Sequence, residues 1–296
     1  MHTPELESMD LSDGYRAVGR WWRPAHPRGV VLYFHGIQSH GGWYEASASR
    51  LGEQDLFVFM PDRRGSGLNR DQRGHTPSLT RCLGDARECL DAALRESGQQ
   101  AVHLVGVSWG GKLCAYLAGS APDRVASMTL VAPGIFPRVD VSPLEKMRIA
   151  LSMVNDRTRP YDIPLNDPGL FTANPERIRF VQEDSLKLEQ VTAGFLLASR
   201  RLDRIAARLS FSEYRGPVHL MLAGRDRIID NQRTAAWLRD LPSPNRRITT
   251  YPEACHTLEF EDDPSAFLDD LCRGITAYCA QGESVKAALP NRATHP

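Results

Sequence analysis

The chain of 296 residues balances 36 Lys plus Arg against 36 Asp plus Glu, with 42 % hydrophobic residues and 24 % charged ones. That balance excludes a net field drawing the chain to nucleic acid or an anionic bilayer, and the length suffices for a large core with or without an insert. The acidic start MHTPELESMD has neither the basic nor the apolar part of an export signal, and no apolar run approaches the ~18 residues of a membrane span, so a cytoplasmic location is expected.

Taken in chain order, residues 5–11 and YRAVGRWWRP (15–24) read as an antiparallel hairpin at a sheet edge. Short β-branched apolar runs follow at 30–34, 56–62, 101–108, 127–133, 218–224 and 246–254, the pattern of buried parallel strands. Helix-length amphipathic stretches lie between most of them, at 42–52, 80–97, 109–121, 231–241 and 264–280. Strand and helix in alternation predict an α/β fold, a mostly parallel central sheet with helices on both faces. Six cysteines, at 82, 89, 114, 255, 272 and 279, are scattered without a CxxC pair and read as reduced thiols.

The alternation stops at Pro133 and resumes at Pro217. Ser142-Pro143-Leu144-Glu145 has the pattern of a capping box, predicting a helix to about Val154, and Asn174-Pro175 opens another. From Val191 to Leu209 apolar residues recur at 195, 198, 202, 205 and 209, helical spacing with Arg and Asp on the opposite side. The expected organisation is therefore a first core part over 1–134, a helical lid over 135–214 inserted after the sixth strand, and a second core part over 215–280. The tail, 281–296, has little to bury and is expected to be disordered.

One stretch carries chemistry. In HLVGVSWGGKLCAYLAG (103–119), Ser108 sits in a Gly-x-Ser-x-Gly pattern between an apolar strand and a helix. A sharp strand-turn-helix strains the serine and lifts its Oγ above the sheet. A serine hydroxyl needs a base held by an acid. Asp226, after the strand at 218–224, and His256, after the strand at 246–254, come in the chain order Ser, Asp, His expected of this turn. Asp140 and Asp230 are rivals for the acid, and His35, His103 and His219 for the base. Two backbone N–H groups are needed for an oxyanion; Trp109 follows the serine, and Ile37 follows the sharp turn His35-Gly36, where His35 reads as a structural hydrogen-bonding residue. RRGSGLN (63–69) matches no phosphate loop and reads as a turn, and no His or Cys group has metal spacing, so no cofactor or metal is expected.

With these residues in hand, the chain resembles the α/β-hydrolase superfamily, and within it the monoacylglycerol lipase and lysophospholipase-like group that merges into the serine aminopeptidase S33 families. HGIQSHGGWY (35–44) is similar to the group's oxyanion loop, PDRRGSGLN (61–69) to its DxRGxG turn, and GVSWG, GRD and the final CH complete the set over roughly residues 28–280. The resemblance implies a Ser108, Asp226, His256 triad, oxyanion donors at Ile37 and Trp109, and a lid between the sixth and seventh strands. Ser39 departs from the acidic residue the group often has there. The expected activity is cleavage of a carboxylic ester, monoacylglycerol-like, lysophospholipid-like or of short-to-medium acyl length, through an acyl-enzyme. Phe136, Met147, Met153, Phe171, Phe180 and Phe195 are candidates to line an acyl pocket. The expected partner is a small acyl ester, not nucleic acid, with transient contact of the lid to lipid surfaces. Two alternatives remain: a proline-iminopeptidase-like aminopeptidase, suggested by Ser108-Trp109-Gly110 and APGIFPR, and a non-catalytic scaffold of the same fold.

Overall fold

Runs of Val, Leu and Phe with no polar alternation can be satisfied only where both faces of a strand are covered. The structure, a computed structural model, describes residues 3–288. In chain order it comprises β1 (Glu5–Asp10), β2 (Arg16–Trp22), β3 (Gly29–Phe34), α1 (Glu45–Gly52), β4 (Leu56–Pro61), α2 (Leu79–Ser97), β5 (Val102–Val107), α3 (Gly110–Ser120) and β6 (Val125–Val131). Next come α4 (Pro143–Asn155), β7 (Pro160–Asp162), α5 (Pro175–Glu183), β8 (Gln190–Thr192) and α6 (Ala193–Ala207), then β9 (Val218–Ala223), α7 (Asn231–Arg239), β10 (Arg246–Tyr251) and α8 (Ser265–Ala288).

The main sheet has the order β1-β2-β4-β3-β5-β6-β9-β10, antiparallel at β1/β2 and β2/β4 and parallel elsewhere. This is the α/β-hydrolase fold. Every residue of β3, β4, β5 and β9 is buried. The two edges are blunted instead: β1 pairs Glu5 and Glu7 with Arg23, and β10 exposes Arg246 and Arg247. From β3 the chain goes first to β4 on one side and then to β5 on the other, so a crevice opens at the carboxyl ends of the parallel strands.

Between β6 and β9 the chain runs through α4, α5 and α6. Ser142 caps α4 in a complete capping box with Glu145, and Asn174 and Thr192 cap α5 and α6 through their side chains. Two details differ from expectation. Residues 190–192 are not the first turn of a helix but pair with 160–162 in a ribbon too short to show alternation in sequence. α8 continues to Ala288, into the stretch expected to be disordered; the rest of that stretch, 289–296, lies outside the described residues.

The turn after β10 holds a buried carboxyl. Glu259, 4 % exposed, accepts the backbone N–H of Ser47 (3.0 Å) and the Ser47 hydroxyl in the first turn of α1, so it ties the segment after β10 to that helix. Burial raises this carboxyl from its ordinary 4.5 to about 7, against the lowering effect of those bonds. A carboxyl raised in the fold makes the folded chain bind a proton that the unfolded chain has already lost. Its contribution is therefore present below about pH 4.5 and is lost as pH rises through about 7. Glu259→Gln should gain stability relative to the unsubstituted chain by up to about 3 kcal/mol between pH 4.5 and 8, read from urea unfolding at both pH values. An unchanged difference at the two pH values would mean the carboxyl is not raised.

Candidate active site

Strands β5, β6, β9 and β10 are neighbours and parallel, so the segments leaving their carboxyl ends share one edge of the sheet. Ser108 leaves β5, Asp226 follows β9, and His256 follows β10. Backbone bonds lace these exits together: Ser108 N–H to Val131 O (2.9 Å), Gly224 N–H to Tyr251 O (2.7 Å) and Arg225 N–H to Ala254 O (2.9 Å).

Ser108 has φ +50°, left-handed and strained for a residue with a side chain. Two glycines make that conformation reachable. A Cβ on Gly110 would lie 2.2 Å from Phe34 O at the end of β3, and one on Gly106 would lie 2.7 Å from the Cα of Gly111. The Ser108 carbonyl is itself pinned, accepting from Gly111 N–H (3.0 Å) and Gly134 N–H (2.8 Å). Trp109 then opens α3.

His256 Nδ1 lies 2.8 Å from Asp226 Oδ2. The carboxylate can only accept, so Nδ1 carries a proton, and in the neutral tautomer this fixes, Nε2 holds the lone pair. Nε2 is buried and makes no hydrogen bond to any described residue. Asp226 Oδ1 accepts from the N–H groups of Ile228 (2.8 Å) and Ile229 (3.0 Å). Burial pushes the Asp226 carboxyl up, but the facing His256 and these two N–H groups outweigh it and hold it below the usual carboxylate range.

The rival residues are engaged elsewhere. Asp140 pairs with Lys146 (2.6 Å) and Asp230 caps α7 through Arg233 N–H (3.0 Å). His103 bonds Ser127 (2.8 Å) and His219 bonds Thr249 (2.9 Å), and burial lowers both rings to about 4. His35 Nε2 accepts Arg63 N–H (2.9 Å), so its Nδ1 donates to Gly36 O (2.8 Å), and burial lowers the ring to about 3. It remains neutral and braces the loop after β3.

Sequence reasoning missed the strongest brace of that loop. Arg63, read only as part of a turn, donates from Nη1 to Gly36 O (3.1 Å) and from Nη2 to Ile37 O (2.9 Å). Its guanidinium also lies 4.7 Å from the Trp109 ring centre and 5.2 Å from that of Phe195. Burial lowers it to about 10, so it stays charged at neutral pH. With both carbonyls of Gly36 and Ile37 turned toward Arg63, the loop is held from one side. Farther along, Asp62 accepts Gly41 N–H (2.7 Å) and Arg20 Nη1 (3.0 Å), and His40 and Trp43 both donate to Asp184 of the insert (3.1 and 2.7 Å). Burial pushes Asp184 up, yet these two donors bring it down to about 2.

Ser108, Trp109 and Ile37 border a cavity of about 390 Å³ that extends under the insert. Its walls are Val139, Ile149, Met153, Leu165, Leu196 and Ile229 among others, and its charged lining is Lys112, Asp140, Lys146, Arg200 and Asp203. Of the six aromatic and Met residues expected to line an acyl pocket, Met153 borders this cavity. The other five do not. Phe171 and Phe195 are buried in the core, Phe136 packs beside it, Phe180 stacks edge-on to Phe260, and Met147 is 64 % exposed. Among the described residues no group of three His, Cys, Asp or Glu could hold a metal, and no helix is long and apolar enough to cross a membrane.

Comparison with known proteins gives a consistent answer. The chain is 26 % identical over 273 residues to a monoacylglycerol lipase of Mycolicibacterium smegmatis, covering 90 % of this chain and 94 % of that protein. It is 23 % identical over 263 residues to a monoglyceride lipase of Rattus norvegicus, covering 87 % and 85 %. Among solved structures, a soluble variant of the Saccharomyces cerevisiae monoglyceride lipase in complex with a substrate analogue superposes with a TM-score of 0.81 at 19 % identity, over 94 % of this chain and 96 % of that one. The family model of the serine aminopeptidases S33 matches residues 25–263, and with that span the chain belongs to this family of α/β-hydrolases.

Proposed function

We propose that the protein is a serine hydrolase that cleaves carboxylic esters, of monoacylglycerol-like, lysophospholipid-like or short-to-medium acyl type, through an acyl-enzyme. The carrying observation is the buried, unpartnered Nε2 of His256, whose Nδ1 is locked by Asp226, on the sheet edge that also carries the strained Ser108. A buried ring nitrogen without a partner costs stability; His219 Nδ1 shares that cost, but only at His256 does the ring also pair with a carboxylate on the edge that carries Ser108. Lipase chemistry is also what the names of these two relatives describe.

In this reading Ser108 Oγ attacks the ester carbonyl while its proton passes to His256 Nε2. Asp226 keeps the ring in the right tautomer and offsets its charge. The oxyanion is met by the N–H groups of Trp109 and Ile37, the latter in the loop that Arg63 and His35 brace. The alcohol leaves with the proton from Nε2; water then gives a proton to the same nitrogen and attacks the acyl carbon, and the acid is freed as the bond to Ser108 Oγ breaks and that oxygen takes the proton back from Nε2. An aminopeptidase would need a carboxylate for the substrate's ammonium. The two that border the cavity, Asp140 and Asp203, are already paired with Lys146 and Lys112. That favours the ester.

The insert serves as the lid in this proposal. Its helix α4 turns Ile149, Ala150 and Met153 to the cavity, while Leu144, Met147, Leu151 and Val154, one helical stripe, are 51 to 85 % exposed. An exposed stripe of that kind suits a lipid surface. The lid's lipid contact is then made by α4.

Ser108→Ala should lower kcat/KM on p-nitrophenyl esters from acetate to laurate by about 10⁴-fold or more, with the fold retained by circular dichroism. Turnover of a prolyl anilide without ester turnover would replace this reading by the aminopeptidase, and no turnover of either would favour the scaffold. Leu151→Glu combined with Val154→Glu should lower hydrolysis of a monoacylglycerol presented in vesicles by about fivefold or more while sparing a soluble butyrate ester. Equal loss on both substrates would remove the lipid-contact role.

A further inference from the structure

The cavity beside Ser108 is not walled like a plain acyl tunnel. Three cations, Lys112, Lys146 and Arg200, border it together with two carboxylates, Asp140 and Asp203. Four ion pairs join them into a chain. Lys146 meets Asp140 at 2.6 Å, Asp140 meets Arg200 at 3.7 Å, Arg200 meets Asp203 at 3.6 Å, and Asp203 meets Lys112 at 2.5 Å. The chain runs from α4, through α6, to the first turn of α3, one turn beyond the strained serine.

Two features of this chain point to a ligand. First, its charges do not cancel: three cations against two carboxylates leave the wall one positive charge in excess, with Lys112 buried, Asp203 largely so, and Lys146, Asp140 and Arg200 half exposed and open to an entering ligand. Second, the close pairs are those of the lysines. Arg200 approaches both its carboxylates only at 3.6 and 3.7 Å, beyond hydrogen-bond length, so its guanidinium fork is held near the cavity without being consumed. Lys112, with a side chain 6 % exposed, is firmly seated by Asp203 and by Ser199 Oγ at 3.3 Å. A planar fork with spare donors, backed by a fixed ammonium, matches a carboxylate or a phosphate.

We infer that this cavity selects esters whose acyl or alcohol portion carries an anionic group, seated on Arg200 with Lys112 behind it. The inference rests on the ester-hydrolase reading and narrows its substrate class. The apolar walls take the hydrocarbon between the ester and the anion. A carboxylate at the far end of the acyl chain and a phosphate on the alcohol share this chemistry.

Matched pairs separate the two sources and test the assignment. On the acyl side, kcat/KM for p-nitrophenyl hydrogen adipate is compared with p-nitrophenyl hexanoate; on the alcohol side, 1-hexanoylglycerol 3-phosphate is compared with 1-hexanoylglycerol. The anionic member should be preferred by about tenfold or more in one of the pairs, the worth of a charged hydrogen bond. Arg200→Gln, at a half-exposed position that tolerates a neutral side chain, should bring that ratio close to one, mainly through KM. Lys112→Met, matched in volume, should lower it as well. Preference for the neutral member in both pairs overturns this inference and leaves the ester-hydrolase reading standing, as does an anionic preference that survives in both variants. Failure to cleave any of the four esters, with Ser108→Ala equally silent, overturns both.

Discussion

The close approach of α3 to the end of β3 is the constraint on which the site depends. At Gly110 the helix passes so near Phe34 O that a single methyl group would collide with it, and that proximity decides three things together. The chain leaving β5 must reverse within one residue, which puts Ser108 at positive φ. The start of α3 must lie against the first residue after β3 as well, since the same Cβ would come within 2.8 Å of His35 O. That loop must bend away from the helix, which it does through His35, Gly36 and Ile37. A larger residue at Gly110 would force the start of α3 away from the end of β3.

Charges buried around the loop then keep it from relaxing. Arg63 holds two consecutive carbonyls and lies against Trp109, so one side chain senses both halves of the expected oxyanion site. Asp62 gathers Gly41 N–H and Arg20, and Asp184 gathers His40 and Trp43. Each of these carboxylates would be costly to bury alone and is tolerated because its acceptors are filled. Asp184 comes from the insert, so the insert and the loop after β3 are parts of one hydrogen-bonded unit.

Much of this was legible in the sequence because it is local. The strand runs at 30–34, 56–62 and 218–224, the turn around Ser108, and the caps at Ser142 and Asn174 are patterns of a few residues whose geometry follows from their own spacing. Asp226 and His256 could be put forward by position, since residues leaving neighbouring parallel strands share an edge, although Asp140 beyond β6 met the same condition. What could not be read is long-range. Arg63 gave no signal apart from standing after a strand, because its partners lie 26 and 27 residues away. The ion chain from Lys146 to Lys112 spans three elements without periodicity. The same limit explains the cavity lining. Aromatic residues in the insert went mostly to the core, where their area is better buried, and the cavity was left to Ile, Leu, Val and Met153.

The insert is fastened unevenly. Its later part is bonded to the core by Asp184, by Leu188 N–H to Gln38 O (2.8 Å) and by Thr192 N–H to Gly74 O (3.0 Å), whereas α4 buries a single residue, Ser152. A helix that hides so little of itself adds little to the folding free energy. Substitutions along it can therefore accumulate without unfolding the protein, and they fall on the wall that meets whatever enters. Evolution could retune what this protein accepts by drifting through α4 while the sheet and its edge stay unchanged.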